Sequence, residues 1–265
     1  MKICRFTSTA HNSAPRYAVI DEGENNLRPI VGDDPFVSDP ALEENSVPLS
    51  QVQLLAPVAP SKIVCVGRNY KDHAAELGNP LPPEPLLFLK PPSSIIAHGE
   101  AILLPTQSGQ VEHEGELGVV IGRAARLLPD AADPLDYVFG YTIVNDVTAR
   151  DLQRKDVQFT RAKSFDSFCP VGQLISTSFD PADARIETRV NGLTKQQAST
   201  SAMIFSVAEI VRYIADIMTL LPGDLIATGT PAGVSRLSDG DVVEVEIEGI
   251  GVLRNSVRSG AAAEH

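Results

Sequence analysis

The chain has 265 residues, enough to bury a sizeable core as one large domain or as a small domain beside a larger one. Its formal charge of -12 gives a surface that repels phosphate backbones and anionic lipid, and no run of Lys and Arg offsets it, which argues against nucleic-acid and membrane partners. Cys4, Cys65 and Cys169 fit neither a disulfide framework nor a paired zinc site, and no apolar run reaches the length of a membrane span or a secretion signal; a soluble, cytoplasmic protein with reduced thiols is expected.

In chain order, residues 1–55 carry strand-like pieces such as Tyr17-Ala-Val-Ile20, broken by a Gly-, Asp- and Pro-rich stretch from Gly32 to Pro48, the punctuation of a small N-terminal β domain. The Pro-rich joint Ala56-Pro-Val-Ala-Pro60 then leads into Lys62-Ile-Val-Cys-Val-Gly67, where a second domain over 56–258 begins. Apolar runs follow at Leu86–Leu89, Ala101–Leu104, Leu117–Ile121, Tyr137–Val144, Leu225–Thr228 and Val242–Ile247. Pro and Gly turns separate them rather than evenly spaced helices, which favours a rolled, mixed sheet in a β-rich α+β fold over a doubly wound one. One amphipathic helix is expected from Ser206 to Leu221, opened by a Ser206/Glu209 capping box and stopped by Pro222-Gly223. Residues 259–265 read as a frayed tail.

The chemistry concentrates in a few segments. In Val111-Glu-His-Glu-Gly-Glu-Leu-Gly-Val-Val-Ile121, strand alternation puts Glu114 and Glu116 on one face at the mouth of a core strand, and Asp146 follows another such strand. Like charges held together call for a cation, and an oxygen-only donor set suits Mg²⁺ or Mn²⁺ rather than zinc. Spacing alone also fits exposed strand charge, and Asp146 could equally cap a helix that begins in Asn145-Asp-Val-Thr-Ala-Arg-Asp-Leu-Gln153. In Gly67-Arg-Asn-Tyr-Lys-Asp-His-Ala-Ala-Glu76, His73 and Glu76 share a helical face, where a carboxylate would fix the imidazole tautomer and raise its basicity; a surface i,i+3 pair has the same spacing. Lys163 is placed to pair with an oxyanion if it faces the cation. The turn Thr228-Gly-Thr-Pro-Ala-Gly233 offers hydroxyls and backbone N–H groups, but the chain has neither a P-loop nor a dinucleotide-binding fingerprint.

Taken in order, these segments resemble the fumarylacetoacetate hydrolase family over roughly residues 60–258. The match runs through Val66-Gly-Arg-Asn-Tyr70 with His73 and Glu76, Phe88-Leu-Lys-Pro91, Glu114-Gly-Glu-Leu117, Gly140-Tyr141 to Asp146, Ala149-Arg-Asp151 with Gln153, Lys163-Ser-Phe-Asp166, Asn191-Gly192, and Pro222-Gly-Asp224 through Thr228-Gly-Thr-Pro231. The resemblance implies a mixed β-roll or β-sandwich catalytic domain, a homodimer, and Mg²⁺ or Mn²⁺ on Glu114, Glu116 and Asp146, with Ca²⁺ as a structural substitute. It implies catalytic roles for His73, Glu76 and Lys163, the His–Glu pair lying on a mobile lid helix, and substrate binding by Arg68, Tyr70, Arg150, Gln153 and Thr230. The short N-terminal domain is similar to that of small bacterial members.

The function so implied is hydrolysis of a C–C bond in 2,4-dioxo acids of the acylpyruvate or fumarylacetoacetate type, through a metal-bound enolate. Oxaloacetate decarboxylase or 2-hydroxyhepta-2,4-diene-1,7-dioate isomerase activity on the same metal site is the alternative. A non-catalytic, metal-stabilised scaffold would need the acids but would have no use for His73, Glu76 and Lys163 beside them.

Overall fold

The computed structural model describes all residues except 9–13, 21–24, 33, 37–39, 79 and 261–265. Its apolar runs form two sheets that pack face to face. The larger, with eleven strands among the described residues, runs Val47–Pro48, Asn26–Pro29, Arg16–Ile20, Lys2–Ser8, Ile175–Ser176, Val138–Asn145, Gly115–Ile121, Leu225–Ala227, Ile63–Gly67 and Leu86–Lys90, with Val52–Leu55 also paired to Lys2–Ser8. The smaller runs Leu193–Ser199, Arg185–Val190, Val242–Ile247, Gly251–Ser259 and Ala101–Leu104. Both are mixed: Leu225–Ala227 lies parallel to Ile63–Gly67, and Gly251–Ser259 parallel to Ala101–Leu104. The N-terminal strands continue the main sheet through the antiparallel pairing of Lys2 and Ile3 with Ser176 and Ile175.

The core explains the apolar runs. Leu117, Val119, Ile121 and Ile143 of the large sheet meet Ile186, Val245, Ile247 and Leu253 of the small one. Onto the same cluster falls the stripe Val207, Ile210, Val211 and Ile214 of one helix, each side chain contributing roughly 1.5–3 kcal/mol relative to exposure. Gly115 lets the sheets close at one end, because a Cβ there would lie 2.2 Å from Thr188 Oγ1 and 2.9 Å from Val245.

The described residues also form four α-helices, α1 (Lys71–Glu76), α2 (Arg150–Lys155), α3 (Thr160–Lys163) and α4 (Val207–Ile217), with short 3-10 turns and two small two-stranded sheets between the larger elements. The capping box forms at the start of α4 as the sequence predicts, but the helix ends at Ile217 rather than Leu221. Leu220 exchanges backbone hydrogen bonds of 2.9 and 3.0 Å with Ala125, a tertiary pairing that takes the chain out of helix ahead of Pro222. Ile217, the last residue of the helix, and Leu221, beyond it, are exposed. At the C-terminus Ser259 still belongs to a strand and donates its N–H to Asp239 Oδ1 at 2.6 Å, so the expected tail does not start there; the rest of it, from 261, lies outside the described residues. Among the described residues no helix is long and apolar enough to cross a membrane, and all three cysteines are buried and unpaired.

Candidate active site

The strands Gly115–Ile121 and Val138–Asn145 pair antiparallel with Gly115 opposite Asn145, which brings the start of one beside the end of the other. Glu114 lies one residue ahead of the first strand, Glu116 within it, and Asp146 one residue past the second. The backbone closes the junction: Asp146 N donates to Glu114 O at 2.8 Å and Glu114 N to Asn145 Oδ1 at 2.9 Å. One oxygen from each of the three buried carboxylates lies within 4.8 Å of the others. Asp146 does not cap a helix, because the short strand Thr148–Ala149 intervenes and α2 begins only at Arg150.

Burying these acids is costly unless charge compensates them. Lys163, at the end of α3, donates to Glu114 Oε2 at 2.8 Å and to Asp146 Oδ2 at 2.6 Å. Arg150 pairs with Glu114 through Nη2 and with Glu112 Oε2 at 2.7 Å through Nε, while its Nη1 donates to Gln153 at 2.5 Å. Burial pushes the Glu114 carboxyl up, but Lys163 and Arg150 outweigh it and hold the group well below the usual carboxylate range. Burial also works against the Lys163 ammonium, and Asp146 and Glu114 overcome it, so the lysine stays charged.

Glu116 is treated differently. Its Oε2 accepts a 2.8 Å bond from Gly229 N, and no cationic side chain pairs with it among the described residues. Burial first, then the charges of Asp146 and Glu114, push its carboxyl well above the usual range. An uncompensated carboxylate beside two others is the misfit a divalent cation relieves, and the donors are all oxygen; the cluster fits a hard divalent ion.

A cavity of about 300 Å³ opens over the cluster. Its wall includes Glu114, Glu116, Asp146, Lys163 and His73, so acids, lysine and imidazole share one space. The Lys163 ammonium lies 4.9 Å from the centroid of the Phe88 ring, an aromatic face that screens it from bulk water. His73 is 4 % exposed, and its Nδ1 lies 3.2 Å from Glu76 Oε2. That carboxylate selects the Nδ1–H tautomer and leaves Nε2 with the free lone pair. Glu76 stands behind the imidazole and is held by Gly233 N at 3.1 and 3.2 Å.

Arg68, Arg150, Gln153 and Thr230, expected to contact substrate, also line the cavity. Arg68 adopts φ 59°, left-handed backbone that costs a non-glycine residue about 1 kcal/mol or more, immediately after the strand Ile63–Gly67. Tyr70 is placed differently. It is not part of the cavity wall; it is buried, and its hydroxyl has no partner among the described residues. The left-handed turn at Arg68 separates the two: Arg68 reaches the cavity while Tyr70 packs inside.

Two ionic partners escaped the sequence reading. Lys90 is 1 % exposed and donates to Asp146 Oδ1 at 2.6 Å and to Val147 O at 3.2 Å. The sequence signal was a lysine ending the apolar run Leu86-Leu-Phe-Leu-Lys90 directly before a proline, where a buried ammonium must find a carboxylate. Glu112 is the second, and its only cue was its position beside the Glu114/Glu116 pair.

This β-sandwich with carboxylates, lysine and a His–Glu pair converging on one cavity is of the fumarylacetoacetate hydrolase type. The chain belongs to that family: the model described as fumarylacetoacetate (FAA) hydrolase C-terminal matches residues 62–258. A second, described as Rv2993c-like, N-terminal, matches residues 1–57. Protein Rv2993c of Mycobacterium tuberculosis is 53% identical over 230 residues, covering 86% of each chain. Oxaloacetate tautomerase YisK of Bacillus subtilis is 43% identical over 224 residues, 79% of this chain and 74% of that one. Among solved structures, 2-hydroxyhepta-2,4-diene-1,7-dioate isomerase from Mycobacterium marinum superposes with a TM-score of 0.89 at 46% identity, covering 99% of this chain and 100% of that one. The protein is thus an enzyme of a family whose members include isomerases and tautomerases.

Proposed function

We propose that the enzyme hydrolyses a C–C bond in 2,4-dioxo acids, with Mg²⁺ or Mn²⁺ held by Glu114, Glu116 and Asp146. The observation that carries this reading is that His73, backed by Glu76, opens onto the same cavity as the three acids. A bound divalent ion would supply Lewis-acid stabilisation of the negative charge that develops on the substrate's C2 oxygen. His73 Nε2 takes a proton from water as the water oxygen bonds to C4. The C3–C4 bond then breaks with its electron pair delocalised toward the C2 oxygen, and protonation at C3 releases pyruvate and a carboxylic acid. Glu76 stabilises the imidazolium formed in the first step. Lys163 gives two of its three N–H donors to Glu114 and Asp146 and retains one for an anionic ligand.

The test is His73→Ala, assayed with Mn²⁺ on acetylpyruvate and on oxaloacetate. Loss of the general base should lower acetylpyruvate hydrolysis by about 10²–10⁴-fold. Decarboxylation of oxaloacetate needs no attacking water and should persist. Equal loss of both activities would refute this division of roles.

A second reading, decarboxylation, tautomerisation or isomerisation of a 2-oxo diacid, is favoured by a separate observation. Arg68 and Arg154 line the cavity without a carboxylate partner among the described residues; Arg154 contacts only the neutral Gln110 Oε1, at 3.2 Å. In a protein of charge -12, two cations left free beside the acids are placed to receive a second substrate carboxylate. The names of the Bacillus subtilis and Mycobacterium marinum proteins likewise describe diacids.

A further inference from the structure

The strand Leu193–Ser199 is an edge of the smaller sheet, and its residues 193–195 and 197 are exposed. Gln196 alone on this stretch is fully buried, and every polar atom of its side chain is used twice. Its Oε1 accepts from Gly115 N at 3.1 Å and from His113 Nδ1 at 3.1 Å; its Nε2 donates to Thr230 Oγ1 at 2.7 Å and to Pro231 O at 2.6 Å. A backbone N–H can only donate and a proline carbonyl can only accept, so the orientation of the amide is fixed. His113 braces the far side, with Nε2 2.9 Å from Ser235 Oγ.

These four bonds join two pieces of the active site. Gly115 is the residue between Glu114 and Glu116. Thr230 and Pro231 belong to the turn whose Gly233 N–H holds Glu76, and Glu76 holds His73. The turn rests directly on the strand that carries Gln196: a Cβ on Gly233, at φ 104°, would lie 1.9 Å from Lys195 O. We propose that Gln196 is a positioning residue that fixes the spacing between the carboxylate cluster and the His73–Glu76 pair, acting through Thr230 and its turn. The proposal rests on the reading above, in which cluster and pair serve one substrate.

The same network sets what Thr230 can do. Its hydroxyl accepts from Gln196 and donates to Gly115 O at 2.8 Å, so no hydrogen is left for a ligand. Toward a bound molecule Thr230 Oγ1 acts only as an acceptor. It suits a hydroxyl, such as water or an enol, and cannot donate to a carboxylate or a ketone.

The test is a double-mutant cycle of Gln196→Met and Thr230→Val, read as kcat and KM on 2-oxo acids and as Mn²⁺ affinity without substrate. Each single variant should lose about 10–100-fold in kcat, the range for outer-shell supports of a metal site, with KM within about threefold of the parent. The double variant should fall within about threefold of the weaker single, because both break one link, and Mn²⁺ affinity should show the same non-additivity. A double variant that loses the product of the two single effects overturns the proposal. So does a folded Gln196→Met protein with parental kcat and Mn²⁺ affinity. If Gln196→Met does not fold, Thr230→Val decides alone, since it removes the hydroxyl's bonds to Gln196 and Gly115 with Gln196 in place, and parental kcat there overturns the proposal. A parent that binds Mn²⁺ but turns over none of the acids removes the functional reading instead, and the cycle is then decided on Mn²⁺ affinity.

Discussion

Replacing Lys90 by Met tests whether the acid cluster is held together by charge compensation. The substitution keeps much of the side-chain volume and deletes the ammonium 2.6 Å from Asp146 Oδ1, at a position 1 % exposed. Removing one partner of a buried pair typically costs about 3–5 kcal/mol, because the survivor is left buried and uncompensated. Asp146 keeps Lys163 at 2.6 Å on its other oxygen, so the lower end, about 3 kcal/mol, is expected. With an unfolding entropy of about 2.1 cal/mol/K per residue over 265 residues, that loss lowers Tm by about 5 °C. Thermal melts with and without Mn²⁺ are the assay. At a hundredfold excess over Kd the ion stabilises the parent by about 2.7 kcal/mol. At the same Mn²⁺ concentration the variant should gain more than the parent, because its cluster carries one more unbalanced negative charge. A variant that melts with the parent in metal-free buffer, or gains no more from Mn²⁺ than the parent does, refutes the reasoning.

Two further outcomes follow from the site. Burial depresses the His113 pKa from 6.5 to about 4, so between those values the unfolded chain binds more protons than the folded one, and stability should fall as pH drops through that window. The contribution is absent above about pH 7 and reaches roughly 3 kcal/mol of loss near pH 4; urea midpoints of parent and His113→Gln should converge as the pH is lowered, and parallel curves would count against it. Arg68→Met and Arg154→Met should each lower kcat/KM on oxaloacetate about tenfold or more relative to acetylpyruvate, the scale of a charge-assisted hydrogen bond of about 1.5–3 kcal/mol; equal losses on both substrates would remove the second-carboxylate role.

What could be read from the sequence was what local geometry decides. Glu114, Glu116 and Asp146 were legible because two apolar strands end in acids, and the His73–Glu76 pair because a three-residue helical spacing sets that contact. The α4 capping box was legible for the same reason, its donor and acceptor being three residues apart. What was missed depends on chain segments meeting from far away. Lys90 reaches Asp146 across 56 residues, Arg150 reaches Glu112 across 38, and Gln196 reaches Gly115 across 81. The misplaced end of α4 shares this origin, since a distant backbone partner overrode a local pattern.

The arrangement of charge also links cation to substrate. Counted as ionised, the buried acids Glu112, Glu114, Glu116 and Asp146 face three buried cations, Lys90, Lys163 and Arg150, which leaves one negative charge in excess. A divalent ion turns that into one positive charge in excess, and Arg68 and Arg154 add to it at the cavity wall. The loaded cavity then favours an anion that the metal-free cavity repels at its centre. By reciprocity, an anionic 2-oxo acid must tighten retention of the ion by the same factor with which the ion tightens binding of the acid. Lys90, Lys163 and Arg150 therefore do more than make the carboxylates tolerable in the core: by balancing three of the four acid charges beforehand, they let one divalent ion reverse the sign of the site.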